Sequence, residues 1–236
     1  MQNRLARSIR GAVGTLALSA LLAGTASAGE LSGEITAVTD YVFRGVSQTD
    51  EDPALQFGLD YAFDSGFYVG TWLSNVDFGP GDPADLEWDI FVGYGFEVSS
   101  GVAADIQLLQ YRYPGANDYN YLELVGSLTF NERLTTTVAY SNDVYNSGED
   151  GWYFGAGLDL ALPAEFTLTP NIGYSRFASG VLDDGSVGYS DYGLTLSRDV
   201  GPVSLALAWT DTNGNGNRYF GRNADSRVFL SLGFGF

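Results

Sequence analysis

Hydrophobic and polar residues alternate with a period of two along most of this chain. Leu55, Phe57, Leu59, Tyr61 and Phe63 alternate with Gln56, Gly58, Asp60 and Ala62, and Asp64-Ser65-Gly66 then turns the chain into a second run over 67–76. The same alternation places Leu86, Trp88, Ile90, Val92, Tyr94 and Phe96 on one face, and likewise Leu122, Leu124, Gly126, Leu128 and Phe130. Trp152, Phe154, Ala156, Leu158 and Leu160 oppose Tyr153, Gly155, Gly157 and Asp159, while Val203, Leu205, Leu207 and Trp209 oppose Ser204, Ala206, Ala208 and Thr210. Successive side chains of a strand point to opposite faces, so each run is a strand with one apolar face and one small or polar face. The last run repeats the rule: Val228, Leu230, Leu232, Phe234 and Phe236 share a face opposite Ser231, Gly233 and Gly235. The pattern predicts twelve strands, at 33–46, 54–63, 67–76, 86–96, 102–113, 119–130, 134–141, 151–160, 166–177, 189–197, 203–211 and 226–236. It predicts no amphipathic helix after residue 28.

The connections alternate in length. Asp64 to Gly66, Asn131 to Arg133 and Arg198 to Pro202 are short, whereas Ser47 to Pro53, Asp77 to Asp85, Asn142 to Asp150, Ala178 to Gly188 and Thr212 to Asp225 are longer and rich in Gly, Asn and acids. Short turns at one rim and longer loops at the other characterise outer-membrane barrels, and a sandwich has no reason to keep that parity. Aromatics on the apolar face sort by rim as well. Phe63, Phe67, Phe96, Phe130, Phe166 and Phe236 fall at short-turn ends, and Trp88, Tyr140, Trp152, Tyr174 and Trp209 toward long-loop ends, as expected of two interfacial belts. The expected fold is all-β: a transmembrane up-and-down antiparallel β-barrel of about twelve strands.

The N-terminus and the composition agree with export to a membrane. Residues 1–28 carry Arg4, Arg7 and Arg10 without an acid, then an apolar stretch from Ala12 to Ala23, then Ala26-Ser27-Ala28, the layout of a cleaved signal peptide. Twelve apolar residues are too few for a helix across a bilayer, which needs about 20. Residues 29–236 then form the barrel, with eight basic residues against all 29 acids, a formal charge of −21. That acidity disfavours nucleic acid or anionic lipid as a partner. His, Cys and Lys are absent, which removes the side chains most used for disulfides, metal sites and general-base catalysis, and no cofactor-binding pattern is found.

The run from Asp40 to Thr49 (Asp-Tyr-Val-Phe-Arg-Gly-Val-Ser-Gln-Thr), with Pro53 to Gln56, Asp60-Tyr61 and Ser65 to Val76, resembles the N-terminal signature of the TorF-type porins, also known as the bacterial Gcw_chp domain of unknown function. The likeness extends more loosely through Glu87-Trp88-Asp89 and Gly93-Tyr94-Gly95 to the terminal Phe236. It implies an outer-membrane barrel with a channel role and brings no established substrate or catalytic residue. The apolar, aromatic-ended last strand is also similar to the C-terminal signal read by the barrel assembly machinery, making that machinery an expected partner beside outer-membrane lipid, lipopolysaccharide and small solutes.

If the apolar faces meet lipid, the other faces point into the lumen. The pore-lining candidates are Asp40, Arg44, Asp60, Glu87, Asp89, Asp105, Glu123 and Asp159, with Gln107 and Arg227 beside them. The excess of acids predicts a passive channel for small solutes that prefers cations. The alternative is a closed barrel whose acids form internal ion pairs and whose acidic loops act at the cell surface; twelve strands permit either. Asp211 to Asn217 fits the first half of a calcium loop, but Arg222 stands where the bidentate acid belongs, so a flexible hairpin is the reading. An enzyme is not expected: without His or Cys, acid–base work would fall to loop carboxylates such as Asp143, Glu149 or Asp150.

Overall fold

The computed structural model describes residues 29–178, 181–182 and 187–236. The expected signal at 1–28 and part of the expected loop after Ala178 lie outside the described residues. Twelve antiparallel strands form one closed barrel. They are β1 (Glu30–Val38), β2 (Ala54–Ala62), β3 (Phe67–Asn75), β4 (Leu86–Ser99), β5 (Val102–Arg112), β6 (Tyr121–Phe130), β7 (Leu134–Ser141), β8 (Gly151–Leu158, prolonged by Leu160–Ala161), β9 (Phe166–Phe177), β10 (Gly188–Val200), β11 (Val203–Thr212) and β12 (Arg227–Gly235). Each strand pairs with its neighbours in sequence, and β1 pairs with β12 from Glu34↔Gly235 to Val38↔Ser231, closing the wall. Among the described residues, closure leaves the wall without an edge strand.

The period-two pattern sets the wall's two surfaces. Outward side chains are apolar and open to the surroundings, for example Leu31 and Leu55 at 64% exposure, Val228 at 63% and Phe236 at 60%. Such a band is unfavourable in water, at roughly 25 cal/mol for each Å² of apolar surface, and compatible with the hydrocarbon of a bilayer. No helix among the described residues is long and apolar enough to cross a membrane, so the crossing falls to strands. The rim aromatics lie on this outer surface and are tied there: Trp88 Nε1 donates to Thr71 Oγ1 at 2.7 Å, Trp209 Nε1 to Ser226 Oγ at 2.9 Å, and the Tyr140 and Trp152 rings meet at 4.5 Å.

Two expected elements differ. The first strand does not run to 46: β1 ends at Val38, and residues 39–53 fold back as a loop whose short hairpin pairs Val42 with Ser47 and Phe43 with Val46. Arg44 (φ 48°) and Gly45 (φ 80°) make the turn, and the left-handed backbone there is the reason a strand cannot continue. Val42, Arg44 and Val46 alternate as a strand would, so periodicity alone does not reveal the break. The expected loop from Thr212 to Asp225, read as a flexible hairpin, holds a short helix α1 (Gly214–Phe220), capped by the Asn213 side chain accepting from Gly216 N.

Candidate functional site

The interior of the barrel is built from the other face of every strand, and it differs between the two rims. Toward the long loops it is a protein core. Leu109 and Tyr111 on β5, Tyr121 on β6, Phe177 on β9 and Tyr189 on β10 pack with Tyr41 and Val46 of the loop 39–53 and with Val144 of the loop after β7. Aromatic rings meet edge-on or stacked throughout, including Tyr41 with Trp72 at 5.3 Å and Tyr111 with Tyr121 at 4.3 Å. Toward the short turns most inward positions are small or polar: Ser32, Thr36, Gly58, Ser127, Thr129, Thr137, Gly155, Thr167 and Ser231 are only partly covered, and Tyr68 is a buried exception.

A layer of charge lies within the packed half, held by the loop 39–53. Arg44 donates from Nη1 to Glu123 Oε1 at 3.0 Å and from Nη2 to Glu123 Oε2 at 2.8 Å, a two-pronged pair that only the planar guanidinium can make. Its guanidinium carbon stands 4.2 Å from the centre of the Tyr153 ring and 4.6 Å from that of Phe43. Tyr189 OH donates to the Arg44 carbonyl at 3.1 Å, fixing the loop's backbone against β10.

The acids find most of their partners in tyrosines. Tyr41 OH and Tyr113 OH donate to the two oxygens of Glu87, each at 3.1 Å; Tyr111 OH donates to Glu123 Oε2 at 3.1 Å; and Tyr68 OH donates to Asp105 Oδ1 at 2.9 Å. Tyr153 OH reaches Asp191 Oδ1 at 3.4 Å. A buried carboxylate without hydrogen bonds is costly, and in a chain with no Lys or His the phenol is the donor that the apolar interior can also pack. Glycine makes room for the rings: a Cβ on Gly93 would overlap Tyr68, and one on Gly173 would overlap Tyr153 and Asp191. Asp89 is the exception. It is fully buried, both of its oxygens lack a hydrogen bond, and it lies within electrostatic reach of Glu87 and Glu123.

The residues expected in the lumen separate into groups. Arg44, Glu87, Asp89 and Glu123 come together in the packed half. Asp40, in the loop rather than on a strand, pairs with Arg227 Nη1 at 2.8 Å and accepts from Ser47 Oγ at 2.6 Å. Asp105 and Gln107 are buried on β5. Asp60 and Asp159 stand apart near the short turns and are partly exposed, Asp159 accepting from Thr169 Oγ1 at 2.7 Å. Asp191 was missed, although its parity, opposite to that of the outward Leu194 and Leu196, places it inward; the inward tyrosines were missed because an aromatic at an inward position reads equally well as a rim residue. Among the described residues, no group of three or more acids is arranged to hold a metal ion.

A closed barrel of twelve antiparallel strands, apolar outside and polar within, has the fold of an outer-membrane β-barrel. The comparisons are specific about the family. Residues 22–231 match the family described as a bacterial protein of unknown function (Gcw_chp), and the chain belongs to that family. No curated protein matches it. Among solved structures, the KdgM porin is similar at a TM-score of 0.56 and 10% identity, and KdgM in complex with disordered oligogalacturonate at 0.56 and 9%. In both cases 87% of this chain and 99% of KdgM are covered. At that identity the likeness establishes the fold.

Proposed function

We propose that the protein is an outer-membrane channel for passive diffusion of small solutes, with a preference for cations, exported with removal of residues 1–28 and narrowed in its long-loop half by the loop 39–53. The interior charge carries this reading. Inward among the described residues are Glu34, Asp40, Asp60, Glu87, Asp89, Asp105, Glu123, Asp159 and Asp191, against Arg44 and Arg227. In a low-dielectric wall such an excess raises the local concentration of cations and repels anions. The partly exposed acids Asp60 and Asp159 act as the electrostatic mouth of the short-turn half, the periplasmic half of such barrels.

A second reading, a closed barrel acting through its acidic loops, is favoured by the packed core between the long-loop ends of the strands. One experiment separates the two. Reconstitution in a planar bilayer across a potassium chloride gradient should give discrete conductance steps with a reversal potential on the cation side, and substitution of Asp60, Glu87 and Asp89 by Asn should move that potential toward zero. Absence of steps from a folded, heat-modifiable barrel would establish the closed reading; steps with unchanged reversal potential in the triple variant would remove these acids from selectivity.

A further inference from the structure

The best-formed polar site in the barrel is filled by a side chain that does not belong to the wall. Three wall strands build it: Glu123 on β6 presents both carboxylate oxygens edge-on, Tyr111 on β5 braces one of them, and the ring of Tyr153 on β8 forms one face. None of the three depends on the loop 39–53 for its position in the sheet. The loop contributes only the occupant, Arg44, and a second aromatic face, Phe43. Edge-on carboxylate and flanking rings are the complement of a guanidinium, which pairs in a plane and stacks on aromatics in a way that an alkali ion does not.

The surrounding wall also holds more negative charge than one arginine offsets. Asp89 is fully buried and neither of its oxygens has a hydrogen bond, and Asp191 Oδ2 is also buried without one. The hairpin that delivers Arg44 is short, with two registered pairs joined by a left-handed turn.

We propose that the wall site formed by Glu123, Tyr111 and Tyr153 is a recognition site for the guanidinium group, that Arg44 is its built-in occupant, and that a guanidinium-bearing solute takes the same place where Arg44 does not fill it. The role of the ligand as a permeating solute rests on the channel reading; the site itself does not.

Chemical rescue tests this. Arg44→Ala empties the site, Arg44→Ala with Glu123→Gln removes the carboxylate as well, and ethylguanidinium is compared with its neutral isostere ethylurea by calorimetric titration and thermal unfolding of the barrel in detergent. Ethylguanidinium should bind Arg44→Ala at least about tenfold more tightly than ethylurea does, and the double variant should lose that discrimination. If Arg44→Ala does not refold alone, refolding in ethylguanidinium but not in ethylurea gives the same answer. Equal response to the two compounds, or equal discrimination by the double variant, overturns the proposal. Discrimination by a barrel that never conducts removes the channel reading and leaves the site; conductance without discrimination does the reverse.

Discussion

The two halves of the barrel interior share a wall and a parity rule, yet they solve the problem of inward polar groups differently. In the long-loop half, Glu87 and Glu123 are buried at 2% exposure and matched by tyrosine hydroxyls and Arg44. In the short-turn half, Asp60 and Asp159 keep part of their surface open among Ser, Thr and Gly. The difference comes from what the loops bring. Long loops can fold inward and supply rings and a cation, whereas turns such as Asp64-Ser65-Gly66 have no side chains to spare. Glu87 and Glu123 are therefore held by partners, as is Asp105 beneath Tyr68, whereas Asp60 and Asp159 stay open to the interior.

The most drastic way to break the contrast is to shorten the loop. Replacing Val42 to Ser47 by two glycines should remove the inner hairpin while leaving β1 and β2 paired, and single-channel conductance should rise severalfold if the loop is the constriction. An unchanged conductance would place the constriction elsewhere. Next in size, Arg44→Ala leaves Glu123 buried without its cation and should cost about 3–5 kcal/mol, read as a lower urea midpoint in detergent. Asp89→Leu acts in the opposite direction: substituting an unpartnered buried carboxylate with an apolar residue of similar volume should raise stability by about 1 kcal/mol or more. A loss of stability would show that Asp89 has a partner in the folded protein. The smallest stability effects belong to the other half, where Asp60→Asn and Asp159→Asn should each stay within about 0.5 kcal/mol of the parent while shifting the reversal potential.

Much of this contrast was hidden in the sequence, although the wall was not. Alternation such as Leu55 to Phe63 and Trp152 to Leu160 was sufficient to assign strand number, face and rim, because period two is a local property of the backbone. The inward carboxylates followed from the same parity. What parity could not show was which of them would be covered, since that depends on residues distant in the chain: Arg44 meets Glu123 and Tyr189, and Tyr41 meets Glu87. The loop 39–53 departs most from the alternation, and its one local signal is Gly45, a residue that accepts a left-handed backbone inside an otherwise strand-like run. The helix α1 was missed because Gly214 and Asn215 are poor helix formers, and only the capping by Asn213 argues for it.

The join between β1 and β12 is registered from Glu34 to Val38, extended at one end by Gly33 and Phe236 exchanging backbone hydrogen bonds, and reinforced at the other by Thr39 exchanging hydrogen bonds with Leu230 and by Asp40 gripping Arg227. These partners stand at opposite ends of the barrel-forming chain, so bringing them together carries the largest loop-closure entropy of any pairing in the wall. Asp40 also begins the loop that fills the interior. Sealing the cylinder and seating its inner loop are thus expected to be coupled, and amide exchange should open the seam and the loop together, ahead of the hairpins on the far side.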